Sequence, residues 1–373
     1  MDVSIIVPLY KGEKYIEQIT NQIVSCAKVV PEVRVELLFI NDYPEQTIQL
    51  AQVSSFIDIR IINSKVNRGI HESRVEGLKN TLGEYVLFLD QDDRIDSNYL
   101  KSQLMTIQDA DASVCRVITN KRLHYTNTHV FENVVTKDFM LNKWCSIISP
   151  GQVLIKRTAI PQIWIENILK NNGADDYFLW LCMMESNKKF ALNQDILYEH
   201  VFTGENVSED TNRMIDSENE MLSILESSDL FRDDKICLEN LRDSLRKIHI
   251  KQLDMQKRAL RILNKWYLSY INKTEVYEWM LENQGTKIAI YGAGELGIGL
   301  EKFLVSQNLN LLCFIDQNAP YIMSDLPAYT IETMQVFPEV ILLTIPNEEL
   351  KHVLKKRFEC VVIDVEKLSE YEL

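Results

Sequence analysis

"GEYVLFLDQDDRID", residues 83–96, sets five apolar or aromatic residues in a row against four acids within the next seven positions. The first half has the composition of a strand buried on both faces. The second half crowds like charges together, which is costly unless solvent, a cation or a helix N-terminus compensates. Ligands of open α/β sheets sit beyond the carboxyl ends of the strands, so a strand that runs into paired acids marks a candidate site.

Upstream the same alternation recurs. "VSIIVPLY" (3–10), a helical 13–28, "VELLFIND" (35–42), "IRIINS" (59–64) and a helical 70–81 all precede the quoted stretch. Continuous Val/Ile/Leu/Phe strands separated by helices predict a parallel sheet covered on both faces. Tyr10, Asp42 and the acids from Asp90 then all fall at strand ends. Further on, "ADDYFLWLCMMESN" (174–187) predicts a helix with Asp175 and Asp176 in its first turn, where the helix dipole favours acids by about 0.3–1 kcal/mol each.

The chain has 373 residues, more than a single core usually serves, so two or more domains are expected. A formal charge of -14 excludes broad nucleic-acid binding, which needs a basic face. No apolar run reaches the roughly 20 residues of a membrane span, and an acid stands at position 2 where a signal peptide would be basic; the expectation is a cytoplasmic protein. The seven cysteines are scattered and form no CxxC pair, which suggests neither a disulfide framework nor a zinc site.

Residues from about 213 to 282 read as one long helical segment with Leu238, Leu241, Leu245, Ile248, Met255, Ala259, Ile262 and Trp266 as its packing seam. Between 242 and 265 eight Lys or Arg face two Asp, a local excess of +6 on an acidic chain. A solvated helix face is one explanation and contact with anionic lipid headgroups the other. After "NQGTK" (283–287) a new α/β unit begins with "KIAIYGAGELG". Gly292, Gly294 and Gly297 form G-x-G-x-x-G between a strand and a helix, and Asp316 ends the next strand. That context suits backbone approach to a pyrophosphate and an acid on a ribose hydroxyl. The expected boundaries are 1–212, 213–284 and 285–373.

Alternate acids in Asp90-Gln91-Asp92-Asp93 can present oxygens to one divalent cation, Mg²⁺ or Mn²⁺, which would also relieve their repulsion. Four ordered pieces, "VSIIVPLYKGEKYIEQ", "ELLFIND", "NRGIHESRVEGLKNTLGEYVLFLDQDD" and "GADDYFLW", together resemble a family 2 glycosyltransferase of the GT-A fold, over somewhat more than half of the chain. The resemblance implies a GT-A nucleotide-diphospho-sugar transferase domain, which with the helical linker and the small Rossmann-like domain read above makes the expected protein α/β. It implies that Pro8 and Tyr10 meet the base, that Asp42 reads the base edge and that Arg74 belongs to the nucleotide pocket. Asp90 and Gln91 would lie at the donor, with Asp92 on the metal, Asp93 a substitute ligand and His200 an imidazole to the same ion. Asp176 would be the general base. Tyr43-Pro44, Lys11, Val75 and Asp175 depart from the family pattern and bear on the donor.

The activity so implied is metal-dependent, inverting transfer from a nucleotide-sugar donor, UDP-linked first, to a hydroxyl of a glycan that is lipid-linked or attached to protein. With a lipid-linked acceptor, the basic helix 242–265 would be a membrane-surface contact. The C-terminal module would serve docking, homo-oligomer assembly or contact with a partner enzyme, with an NAD-like nucleotide its rarer use. Two rivals are an NAD-dependent sugar-nucleotide oxidoreductase built on Gly292 to Asp316, and a non-catalytic nucleotide-sugar-binding scaffold.

Overall fold

Strand β1, Val3–Leu9, is buried at every position and pairs in parallel with β2, Val35–Asn41, along its whole length. On its other side it pairs with β4, Tyr85–Phe88, only as far as Ile6 opposite Phe88. Pro8, which has no N–H to donate, stands just past the point where that pairing stops. The sheet therefore opens between β1 and β4 at their carboxyl ends.

The computed structural model describes residues 1–50, 54–119, 122–124, 131–133, 135–203, 206, 210–319, 322 and 325–368. The chain forms two compact units, Met1–His249 and Ile250–Leu373. In the first, β3 (Ile57–Asn63), β2, β1 and β4 run parallel, with α1 (Ile16–Val29) and α2 (Ile70–Lys79) among the connections. After β5 (Arg94–Ile95) and α3 (Tyr99–Ile107) come β6 (Ala112–Thr119), β7 (Arg122–Leu123) and α4 (Lys137–Asn142). Then follow β8 (Val153–Lys156), α5 (Gln162–Glu166), α6 (Asp175–Glu185) and β9 (Phe190–His200). The sheet order is β3-β2-β1-β4-β8-β6-β9-β5, with β8 antiparallel to both β4 and β6. The parallel alternation expected from residues 3–90 is present, and the mixed continuation completes the α/β sheet.

Two apolar cores flank this sheet, because its strands are apolar on both sides. One gathers Ile6, Leu38, Phe88, Trp164 and Trp180, the other Ile5, Leu37, Phe39, Leu87 and Tyr99.

The long helical segment expected at about 213–282 is α7 (Thr211–Ser227), a 3-10 stretch (Asp229–Asp234), α8 (Lys235–Asn272) and α9 (Glu275–Glu282). It is not a unit of its own: Leu222, Leu238, Leu241 and Leu245 are buried in the first unit's core, whereas Ile262, Trp266 and Trp279 belong to the second's. The helical region is thus shared out according to which core its apolar stripe meets. Met255, expected in the seam, is 55% exposed.

The second unit continues with β10 (Ile288–Tyr291), α10 (Glu295–Ser306), β11 (Leu311–Ile315), β12 (Ala328–Tyr329), β13 (Val340–Leu343), α11 (Glu348–Phe358), β14 (Val361–Asp364) and α12 (Val365–Leu368). Its five strands are all parallel, in the doubly wound order β12-β11-β10-β13-β14. Among the described residues, no helix is long and apolar enough to cross a membrane.

Candidate active site

A cleft of about 600 Å³ lies at the carboxyl ends of β1 and β4, where the strand order reverses direction. Pro8, Tyr10, Asp42, Arg74, Asp90, Gln91, Asp92, Asp176 and His200 all line it. Residues separated by almost two hundred positions in sequence are gathered here by the sheet.

The three acids of the DQDD turn meet three different fates. Asp90 accepts from Arg74 Nη2 at 2.5 Å and from Ser149 Oγ at 3.2 Å. Asp93 is wholly buried and accepts from the Tyr198 hydroxyl, from the Val201 amide at 2.8 Å and from His200 Nδ1 at 3.1 Å. Among the described residues, Asp92 has only a long side-chain bond, from Asn206 Nδ2 at 3.3 Å. Burial, then the repulsion of Asp93 and Asp90, pushes its carboxyl up to about 6. The strain raised by the like charges is thus relieved at two acids and left on the third.

Asp93, expected as a substitute metal ligand, has its oxygens on Tyr198, Val201 and His200, and it is not among the residues that line the cleft. It instead orients the imidazole. With Nδ1 held by Asp93, the other ring nitrogen, Nε2, has no hydrogen bond among the described residues. A carboxylate–histidine pair of this kind fixes tautomer and ring direction for a ligating nitrogen. Burial opposes charge on the ring, but the Asp93 carboxylate outweighs it and raises the imidazole's pKa.

No group of three or more His, Cys, Asp or Glu is arranged to hold a metal among the described residues. A hard cation such as Mg²⁺ needs no such cage, since it is commonly held by one or two carboxylates together with substrate phosphates. An uncompensated Asp92 and a directed His200 nitrogen fit that demand.

Arg74 lines the cleft, yet its charge is committed elsewhere. It is 2% exposed, with Nη1 on Asp175 Oδ2 and Nη2 on Asp90 Oδ1, each at 2.5 Å. Burial works against its charge, but Asp175, Asp90 and Asp176 more than offset that and raise its pKa. Its place is a bridge from α2 to the end of β4 and the start of α6. Asp175 is accordingly a partner of Arg74, and the residue at the cap position of α6 is Ala174. Asp176, next along, receives the Tyr177 amide at 2.7 Å. Burial, then the neighbouring Asp175 charge, pushes Asp176 up to about 7, with Arg74 pulling the other way.

Asp42 accepts from the amides of Arg68 at 2.8 Å and Gly69 at 2.8 Å, so it ties down the loop before α2. Burial raises its pKa, and those amides oppose the rise. Gly69 has φ +87°, and a side chain there would meet Asn172 Oδ1, which itself accepts from the Ile70 amide. Gln91 pairs with the backbone of Tyr10 in both directions, receiving its N–H at 3.0 Å and donating to its carbonyl at 3.3 Å. Tyr10 is 47% exposed and packs edge-on to Tyr43 at 5.4 Å, with Lys11 Nζ over both rings.

Ser149, Asn172, Asn206, Lys14, Arg213 and Met214 also line the cleft and escape sequence reasoning. They come from loops and helix starts with no periodicity. Only the Asn-Gly turn just before α6 carried a local signal.

In the second unit, Gly292 has φ +91° and Gly297 leaves no room for a side chain beneath the Gly292 carbonyl. The Asp316 carboxylate accepts from the Ala293 amide at 3.0 Å and the Asn318 amide at 2.9 Å. It thus ties the glycine loop to the end of β11, where a ribose hydroxyl was expected.

The sheet and its acid-lined cleft are those of an α/β protein with a ligand cleft at the carboxyl ends of its strands. Residues 4–164 match the model of glycosyl transferase family 2. It is 30% identical over 117 residues to the poly(ribitol-phosphate) β-N-acetylglucosaminyltransferase TarS of Staphylococcus aureus, covering 31% of this chain and 20% of that protein. It is 26% identical over 197 residues to the UDP-Glc:α-D-GlcNAc-diphosphoundecaprenol β-1,3-glucosyltransferase WfgD of Escherichia coli, covering 51% and 73%. The chain spans about a fifth of the length of the TarS relatives. Among solved structures, S. aureus TarS 1–349 in complex with UDP-GlcNAc aligns at TM-score 0.46 and 18% identity, over 64% of this chain and 71% of that one.

Proposed function

We propose that the protein transfers a sugar from a nucleotide diphosphate donor, UDP-linked in the first instance, to a hydroxyl of a glycan acceptor, with inversion at the anomeric carbon. The observation that carries this reading is the convergence of Asp90, Asp92, Asp176 and His200 on one cleft at the strand ends. In it the base stacks beside Pro8 and Tyr10, Asp42 holds the loop that borders the base, and Asp90, fixed by Arg74, faces the ribose. Asp92 and His200 Nε2 would hold Mn²⁺ or Mg²⁺, which would neutralise the leaving diphosphate's charge when bound.

Asp176 takes the proton of the acceptor hydroxyl as the new C–O bond forms and the bond from the anomeric carbon to the diphosphate breaks. A carboxylate raised to about 7 suits the task, because a base is most effective when its pKa lies near the working pH. The names of the relatives, which transfer N-acetylglucosamine or use UDP-Glc, support a UDP-sugar.

Calorimetric titration of UDP and other nucleoside diphosphates, with and without Mn²⁺, tests the site. UDP is expected to bind with metal and to lose most of its affinity in Asp92→Asn. Failure of every diphosphate to bind would remove the proposal.

A further inference from the structure

Helix α8 has a second face that the transfer reaction does not use. Within the second unit its inner face packs Ile262 and Trp266 into the core, and Trp266 Nε1 donates to the Val365 carbonyl at 2.9 Å. The outer face carries Ile250, Leu260, Tyr267, Leu268 and Ile271, each between 47% and 69% exposed. Ile250, Leu260, Tyr267 and Ile271 are spaced by sums of three and four, so they form one stripe along about 32 Å of helix. Isolated exposed apolar residues need no explanation, but a row of this length does.

Charge decides what covers it. Residues 250–273 hold six Lys or Arg (251, 257, 258, 261, 265, 273) against the single Asp254. Glu366 takes Arg258 at 2.8 Å and Arg261 at 2.5 Å, which still leaves four positive charges in excess on a chain whose formal charge is -14. A second copy laid along the stripe would set this excess against itself. A nucleic acid would leave the apolar row with nothing to pack on. An anionic bilayer satisfies both features, since its phosphates meet the lysines while the apolar side chains reach the acyl boundary.

We infer that the outer face of α8, from Ile250 to Ile271, is a docking surface for an anionic phospholipid bilayer, on which the helix lies flat. The inference is independent of the transfer chemistry, because none of these residues lines the cleft.

The test is sedimentation of the full chain with vesicles of phosphatidylcholine or of phosphatidylglycerol. Two variants accompany it, Leu260→Ser with Ile271→Ser, and Lys257→Glu with Lys265→Glu. Binding to phosphatidylglycerol is expected, weak on phosphatidylcholine, and reduced at least about tenfold in each variant. Leu260, Ile271 and Lys257 are exposed and Lys265 is half-buried, and circular dichroism checks that both variants fold. Equal binding to both lipids, or binding unchanged in both variants, would overturn the inference. So would absence of vesicle binding together with a dimer in sedimentation velocity that Leu260→Ser dissociates, which would assign the face to a second copy.

Discussion

Asp92 and Asp93 are adjacent and chemically identical, yet among the described residues Asp93 is held by Tyr198, His200 and Val201, with Ser149 Oγ at 3.5 Å, and Asp92 by one long side-chain bond. The difference is not local, because the groups that satisfy Asp93 come from Tyr198, His200 and Val201, more than a hundred residues away. At the same scale Asp176 is the base of the transfer proposed above. Replacing it with Asn should cut transfer by about 10²–10⁴ while leaving diphosphate affinity intact. A fall of less than threefold in single-turnover assays would show that another group accepts the proton. The acid limb of kcat/KM in the native protein should lie near pH 7: below it Asp176 is protonated and activity falls with pH, and above it the base is ionised and activity levels off. An acid limb near the ordinary carboxylate range would contradict the burial of this group.

Between elements the decisive connection is Arg74. It ties α2 to Asp90 after β4 and to Asp175 at the start of α6, so Asp90 and the helix that carries Asp176 hang on one buried guanidinium. Removing one member of a buried ion cluster strands the others without compensation. Arg74→Met should therefore cost about 3–5 kcal/mol in urea unfolding. A loss under about 1 kcal/mol would mean that the two acids find other partners, and the bridging role would fall.

Across the molecule, each unit has its own apolar core, so each should respond to its own lesions. In Gly297→Ala the added methyl has nowhere to go, since it meets the Gly292 carbonyl oxygen of the same unit. This should lower the thermal transition of residues 250–373 by the equivalent of about 1–3 kcal/mol, with UDP affinity in the first unit unchanged. Differential scanning calorimetry with a parallel UDP titration reads both; a matched loss of UDP binding would show that the units do not act separately.

The sequence by itself determined the strands, because unbroken runs such as "VSIIVPL" and "YVLF" have one way to bury both faces. It also determined that Tyr10, Asp42 and Asp90 lie at strand ends, which follows from where those runs stop. It marked Asp176 in the first turn of a helix, and the glycine loop at 292–297. Only the tertiary structure decided which acid of the DQDD turn lacks compensation, that Arg74 serves two acids, that Asp316 holds its own loop, and how residues 213–284 divide between two cores. The reason is physical. Strand and helix periodicity is a property of neighbours along the chain, whereas the neutralisation of a buried charge and the allegiance of an apolar stripe depend on groups brought close through space.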